Sequence, residues 1–230
     1  MLWIGLDDTD VEGSYGTGHH ARELAGWLAG RFTVLGVTRH QLLRDPRVPM
    51  TAKNSAATIH LQVNGAGLAD PWPLAEELAQ RIRSVAPAGS DPGLCVASYA
   101  PPGVLAFGRR AKTELVTQSE ARTVAAQAGV VLCGLGGTED GVIGALAAVG
   151  LAASEDDGRY VLVGRSRELT GLQPVSALLA AGIAAVQTAD GGAVTDGLVQ
   201  ADRLRPARRG SRPVAVVEWA GDRWLPLKLD

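Results

Sequence analysis

A mixed α/β fold of the α+β kind is what the sequence predicts, on three observations. Short β-branched runs alternate with longer stretches of helical period. Twelve prolines and 29 glycines punctuate them as turns. The chain is 230 residues long and 46% hydrophobic, enough for one large domain or two small ones with a sizeable core.

The elements follow in order. "LWIGL" is a buried strand. In "GHHARELAGWLAGRF", Ala21, Leu24, Ala25 and Leu28 recur at helical spacing with charges between them. "TVLGVTRHQLL" and "AATIHLQV" read as strands, "PWPLAEELAQRIRSVAP" as an amphipathic helix closed by proline, and "GLCVASYA" as another strand. The order β-α-β-β-α-β is the split pattern of ferredoxin-like folds, so we expect such a core, extended by further helices and strands.

Beyond it, "TQSEARTVAAQAG" is a helix with Thr117 at its N-cap. The Gly-rich "CGLGGTEDG" leads into an apolar helix, "VIGALAAVGLAA", and then the strand "RYVLVG". From residue 166 the pattern changes to a short helix ("PVSALLAAGIAA"), a basic segment ("DRLRPARRGSRP") and a hairpin ("VAVVEWAGDRWLPLKL") turning at "AGDR". We therefore expect two parts, 1–165 and 166–230.

The formal net charge of -2 gives no electrostatic reason to expect nucleic acid as a partner. The N-terminus carries no signal-peptide pattern and no segment reads as a membrane span, so a cytoplasmic location is expected. Cys95 and Cys133 form neither a disulfide framework nor a C-x-x-C pair.

The chemistry concentrates in "GLDDTDVEGSYGTGHH", where Asp7, Asp8 and Asp10 end the first strand. Carboxylates so close repel one another unless a cation or strong donors balance them. Two readings follow. One is a solvated turn in which Asp caps the backbone. The other is a magnesium site, with the next loop's N–H groups facing phosphate ahead of a helix. A calcium loop fails, because His19 stands where its last bidentate Glu belongs. His19 and His20 lack a cysteine pair for zinc and read as surface or cap positions.

The segment "RDPRVPMTAKNSAAT" is stiffened by Pro46 and Pro49 and leads Lys53, Asn54 and Ser55 into the next strand. A lysine among small polar residues suits phosphate, and a polar connection explains it equally. In "GLGGTEDGVIGALAAVG", Gly141, Gly144 and Ala148 would permit close helix packing, while the loop glycines suit either packing or phosphate.

In sequence order, "IGLDDTD", Thr17, the proline-rich connector and "GVIGALAAVG" resemble the N-terminal kinase-like domain of the TiaS family, the archaeal-type isoleucine-tRNA agmatinylcytidine synthetases. That family begins G-I-D-D-T-D followed by C-T-T, continues N-P-x-[IV]-P-x-K-T-R-G-N, and later reads G-x-[IL]-I-G-A-L-A-A. "FGRRAKTELVTQSEA" also resembles the stretch between those motifs, with Arg110 at a basic position. The likeness runs over residues 3–165. This chain has "GTG" for C-T-T, and its connector has Thr51, Lys53 and Ser55 where the family has lysine, arginine and asparagine.

The resemblance implies ATP and Mg²⁺ as cofactors. It implies Asp7, Asp8 and Asp10 as metal ligands, and Asp8, Thr17 and Arg110 as catalytic residues, Thr17 being the phosphate-accepting or phosphate-contacting hydroxyl. Asp7, Thr9, Thr17, Lys53, Asn54, Gly137 and Gly141 would bind the nucleotide. The 230 residues hold no counterpart of the family's OB-fold, and two cysteines cannot build its zinc ribbon. Tight tRNA binding by this chain alone is therefore not expected. The expected function is an ATP/Mg²⁺-dependent phosphotransferase or ligase for a small-molecule or other non-tRNA substrate. Alternatives are an inactive nucleotide- or metabolite-binding module, and a tRNA-modifying subunit that needs a separate RNA-binding partner.

Overall fold

In the computed structural model, which describes residues 1–48, 53–63 and 70–229, the first six elements run in the predicted order. They are β1 (Leu2–Asp7), α1 (Thr17–Leu28), β2 (Thr33–Gln41), β3 (Ser55–Gln62), α2 (Trp72–Val85) and β4 (Gly93–Ala97). The strands pair antiparallel in the order β4-β1-β3-β2, the ferredoxin-like arrangement. Pro49 and Thr51 of the connector lie outside the described residues.

This fold follows from alternation along β1. Leu2, Ile4 and Leu6 are fully buried on one face. The apolar stripes of α1 and α2, among them Leu24, Leu28, Leu78 and Ile82, are buried with them. Trp3, Gly5 and Asp7 present the opposite face. There α5 (Gly141–Ala153) crosses, and Thr58 of β3 donates to the Ala148 carbonyl at 3.0 Å. A helix covered on every side is apolar all round, and α5 is buried along nearly its whole length.

Two elements go beyond the sequence reading. α3 (Pro102–Thr113) contains Gly103 and Gly108, poor helix formers. It is held by packing, since Val104, Phe107 and Ala111 are buried in the same core as α5. β5 (Val131–Gly134) is only four residues long and adds to the sheet beside β4.

Between them α4 (Gln118–Ala128) starts on the expected cap. The Thr117 hydroxyl accepts from the Glu120 N–H at 3.2 Å, and Glu120 Oε2 accepts from the Thr117 N–H at 2.8 Å. Thr117→Ala is expected to cost about 1 kcal/mol in denaturant unfolding, because one N-terminal donor loses its partner. A change within error would mean that α4 is held by packing alone.

The chain divides into compact units at Met1–Ser154 and Glu155–Asp230, ahead of the boundary expected near residue 165. The difference comes from β6 (Arg159–Leu162). It pairs with β10 (Ala207–Arg209) in the second unit, where the Tyr160 N–H donates to the Pro206 carbonyl at 2.7 Å.

The second unit also contains β7 (Leu172–Pro174), α6 (Val175–Ala180), β8 (Ala185–Thr188), β9 (Leu198–Gln200), β11 (Arg212–Trp219) and β12 (Trp224–Pro226). Its strands run β6-β10-β11-β12-β9-β7, with β8 beside β11. The hairpin between β11 and β12 turns at 220–223 as expected. The basic segment is not simply a loop: part of it is β10, paired to the start of β11. The expected helix stops early, because Gly182 turns at φ +101° and the chain continues into β8. No described helix is long and apolar enough to cross a membrane.

Candidate functional site

β1 ends at Asp7, paired with Gly93 of β4. Asp7 belongs to the strand face that α5 covers, and its carboxylate lies where a Cβ on Gly144 would stand. Glycine at 144 is therefore the reason that this carboxylate fits. Asp8 then turns the chain out of the sheet at φ +52°, a left-handed backbone that Asp and Asn adopt more readily than other residues with side chains.

Thr9 is fully buried and Asp10 half-buried. Asp10 Oδ1 accepts from both the Thr17 N–H, at 3.0 Å, and the Thr17 hydroxyl, at 2.9 Å. Asp10 thus ties down the first turn of α1. The capping read from the sequence as one option belongs to this aspartate.

Thr17 is buried, and its Oγ1 also receives the Thr9 N–H at 3.3 Å and the Thr9 hydroxyl at 3.2 Å. His20 departs from the surface position expected of it. It is buried, with Nδ1 at 2.9 Å from Thr9 Oγ1, because position 20 falls on the sheet-facing stripe of α1. Its neighbour His19 is half-buried, and its ring stacks on exposed Tyr15 at 4.2 Å.

A second acidic group meets the first. Asp91, just before β4, takes the Thr138 N–H on its carboxylate and the Gly141 N–H on its carbonyl at 3.0 Å. The Gly-rich loop is therefore wrapped around Asp91. The space a side chain would need at Gly137, where φ is +59°, is filled by the Asp91 carboxylate, and at Gly141 by neighbouring backbone. Close packing accounts for both glycines. Asp140 follows in the same loop and accepts from Gln118 Nε2 at 2.6 Å.

Burial pushes the Asp7 carboxyl up to about 8, with the charges of Asp8 and Asp10 adding to it. Asp8 is pushed up to about 6, by burial first and then by Asp91, Asp10 and Asp140. Asp91 and Asp140 are thus members of the cluster that sequence reading missed. For Asp140 the local signal was its place at the start of the apolar helix, and for Asp91 an Asp-Pro-Gly at the entry to β4, whose meaning depends on which strand β4 pairs with.

The remaining candidates divide. Lys53 and Asn54 precede β3 at the sheet end where β1 finishes, since Leu6 pairs with Ala57. Lys53 is exposed. Asn54 instead knits β2 to β3: its Nδ2 donates to the Leu43 carbonyl at 2.9 Å, and its own carbonyl accepts from Gln41 Nε2 at 2.6 Å. Arg110 is engaged elsewhere, with Nε on Glu114 at 2.9 Å and Nη2 on Glu120 at 2.8 Å. It links α3 to the start of α4, and the charges that act on Asp8 are aspartates.

Among the described residues, no set of three or more His, Cys, Asp or Glu side chains is arranged to hold a metal ion by itself. The donors that are present are the carboxyl oxygens of aspartates whose charges add to the raising of Asp7 and Asp8. They suit a hard cation that draws its other ligands from phosphate and water.

No protein-family model and no curated protein sequence matches the chain. Solved structures do. The complex of TiaS with tRNA and ATP matches at 26% identity and a TM-score of 0.54, over 65% of this chain and 36% of that one. This chain has a TiaS-like fold. The crystal structure of a tRNA fluorescent labeling enzyme matches at 26% identity and a TM-score of 0.53, over 65% of this chain and 35% of that one. Apo TiaS, a tRNA agmatidine synthetase, matches at 25% identity and a TM-score of 0.52, with the same coverage. The chain thus spans about a third of the length of the TiaS structures that it matches. TiaS also forms a complex with tRNA, AMPCPP and agmatine.

Proposed function

We propose that this chain is an ATP- and Mg²⁺-dependent phosphotransferase or ligase that acts on a small-molecule or other non-tRNA substrate. The observation that carries the reading is the pair Asp7 and Asp8. Both are held above the ordinary carboxylate range at the end of β1, beside a Gly-rich loop that opens α5. A folded protein that gathers repelling carboxylates gains most from a ligand that brings positive charge. The TiaS-like fold, and the ATP complex of TiaS, support a nucleotide as that ligand.

Asp7 and Asp8 would hold Mg²⁺ together with nucleotide phosphate oxygens, and Lys53 would add a cation at the same sheet end. Bound Mg²⁺ would neutralise charge developing on the transferred phosphoryl group. Asp10 and Thr9 order the loop that carries Thr17, the proposed phosphate acceptor, while Asp10 supplies no metal ligand that the reading needs. Tight tRNA binding would require a further RNA-binding part.

Titration with Mg-ATP tests this. At a hundredfold excess over the dissociation constant the folded state is expected to gain about 2.7 kcal/mol, read as a rise in melting temperature. No shift with saturating Mg-ATP would remove the reading.

The engagement of Arg110 by two glutamates favours a second reading, an inactive nucleotide-binding module. Binding without turnover, with ATP recovered intact, would select it.

A further inference from the structure

We propose that His20 is a positioning residue which, through Thr9, decides whether the Thr17 hydroxyl is able to act as a nucleophile. The inference rests on the reading of Thr17 as phosphate acceptor.

It comes from counting protons and lone pairs. An ionised Asp10 only accepts, so the single Thr17 hydroxyl proton points at Asp10 Oδ1, at 2.9 Å. Thr17 Oγ1 then has two lone pairs. One receives the Thr9 N–H at 3.3 Å, and the other faces Thr9 Oγ1 at 3.2 Å. The Thr9 hydroxyl has one proton and two neighbours, Thr17 Oγ1 and His20 Nδ1, the latter at 2.9 Å. Thr9, Thr17 and His20 are 0%, 6% and 6% exposed, so bulk water does not substitute for any partner in this chain.

The two tautomers of His20 therefore give two states. With a proton on Nδ1, His20 donates to Thr9, Thr9 donates to Thr17, and Thr17 donates to Asp10. Both lone pairs of the Thr17 oxygen are then occupied, and it is no nucleophile. With the proton on Nε2, Nδ1 accepts, the Thr9 hydroxyl turns toward it, and one Thr17 lone pair is released while Asp10 still holds the hydroxyl proton. In that state the Thr17 oxygen attacks the γ-phosphorus of ATP. The bond from that phosphorus to the β-phosphate bridging oxygen breaks, ADP leaves, and the Thr17 proton passes to Asp10.

The test measures phosphate transfer from γ-labelled ATP to Thr17, at saturating Mg-ATP, together with ATP affinity. The chains compared are the parent, His20→Asn, His20→Leu, Thr9→Val and the Thr9→Val/His20→Leu double variant. His20→Leu leaves the Thr9 proton no acceptor except Thr17, so transfer is expected to fall about tenfold, the worth of one hydrogen bond to a reacting group, with ATP affinity unchanged. His20→Asn presents an amide oxygen near the Nδ1 position and keeps the parent rate. Thr9→Val removes the competing proton, so whatever rate that chain has, adding His20→Leu lowers it no further in the double variant.

A parent chain that takes up no phosphate overturns both the acceptor reading and this proposal. A parent that takes up phosphate, with His20→Leu matching it, overturns the proposal alone. If His20→Leu does not fold, His20→Asn decides, since loss of transfer in that folded chain at unchanged ATP affinity overturns the mechanism.

Discussion

Asp8→Asn is expected to lower ATP turnover by at least about a hundredfold and, above pH 6, to raise the melting temperature of the ligand-free protein. The first effect follows from removing a charged ligand of the proposed metal, since even groups that only support metal ligands are worth about 10–100-fold in metal affinity. The second follows from linkage. The Asp8 carboxyl is raised from 3.8 to about 6 in the folded chain. Its contribution to stability is therefore fully present below pH 3.8 and is lost as the pH rises through about 6. Asparagine never ionises, so the variant escapes this loss. The backbone raises no objection, because Asn accepts the φ of +52° that Asp8 adopts. Melting curves from pH 4 to 8, with and without Mg-ATP, and an ADP-release assay check both effects. A variant that turns over ATP like the parent would mean that Asp8 is only a turn residue.

Gly144→Ala is expected to destabilise the fold by about 1–3 kcal/mol and to weaken the response to Mg-ATP. Alanine in place of glycine within a helix ordinarily stabilises by about 1 kcal/mol. Here the added Cβ would overlap the Asp7 carboxylate, and Asp7 is held by a central strand that cannot retreat. The steric term therefore outweighs propensity. Gly26→Ala in α1 provides the control, because nothing lies within 4 Å of the Cβ it would add. It is expected to gain roughly the propensity term, about 0.5–1 kcal/mol. Denaturant unfolding of both variants reads the two signs. A stabilised Gly144→Ala chain would show that Asp7 moves freely and is no fixed ligand.

The ordered part of the fold was legible along the chain because its signals are local. Alternation in "LWIGL" and helical spacing in "ELAGWL" report which face meets the core whatever that core contains. The Thr117 cap is equally local, completed by Glu120 three residues on. α3 was not legible, because Gly103 and Gly108 hide a helix that packing in the core it shares with α5 sustains. β6 falls in the second unit, ahead of the boundary expected near residue 165, for a related reason. A four-residue strand says nothing about its partner, and here that partner lies near residue 207.

The same division runs through the candidate site. By itself the sequence determined that Asp7, Asp8 and Asp10 crowd the end of a strand ahead of a helix. Covalent neighbours stay neighbours in any fold. Only the tertiary structure decided what surrounds them. Pairing of Asp7 with Gly93 carries Asp91 to the same sheet end, and the Gly-rich loop brings Asp140 there. α1 turns His20 inward onto Thr9, while the α3–α4 connection takes Arg110 away to Glu114 and Glu120. Charge acts through space, and residues more than eighty positions apart in the chain become neighbours only once strand register and helix packing are set.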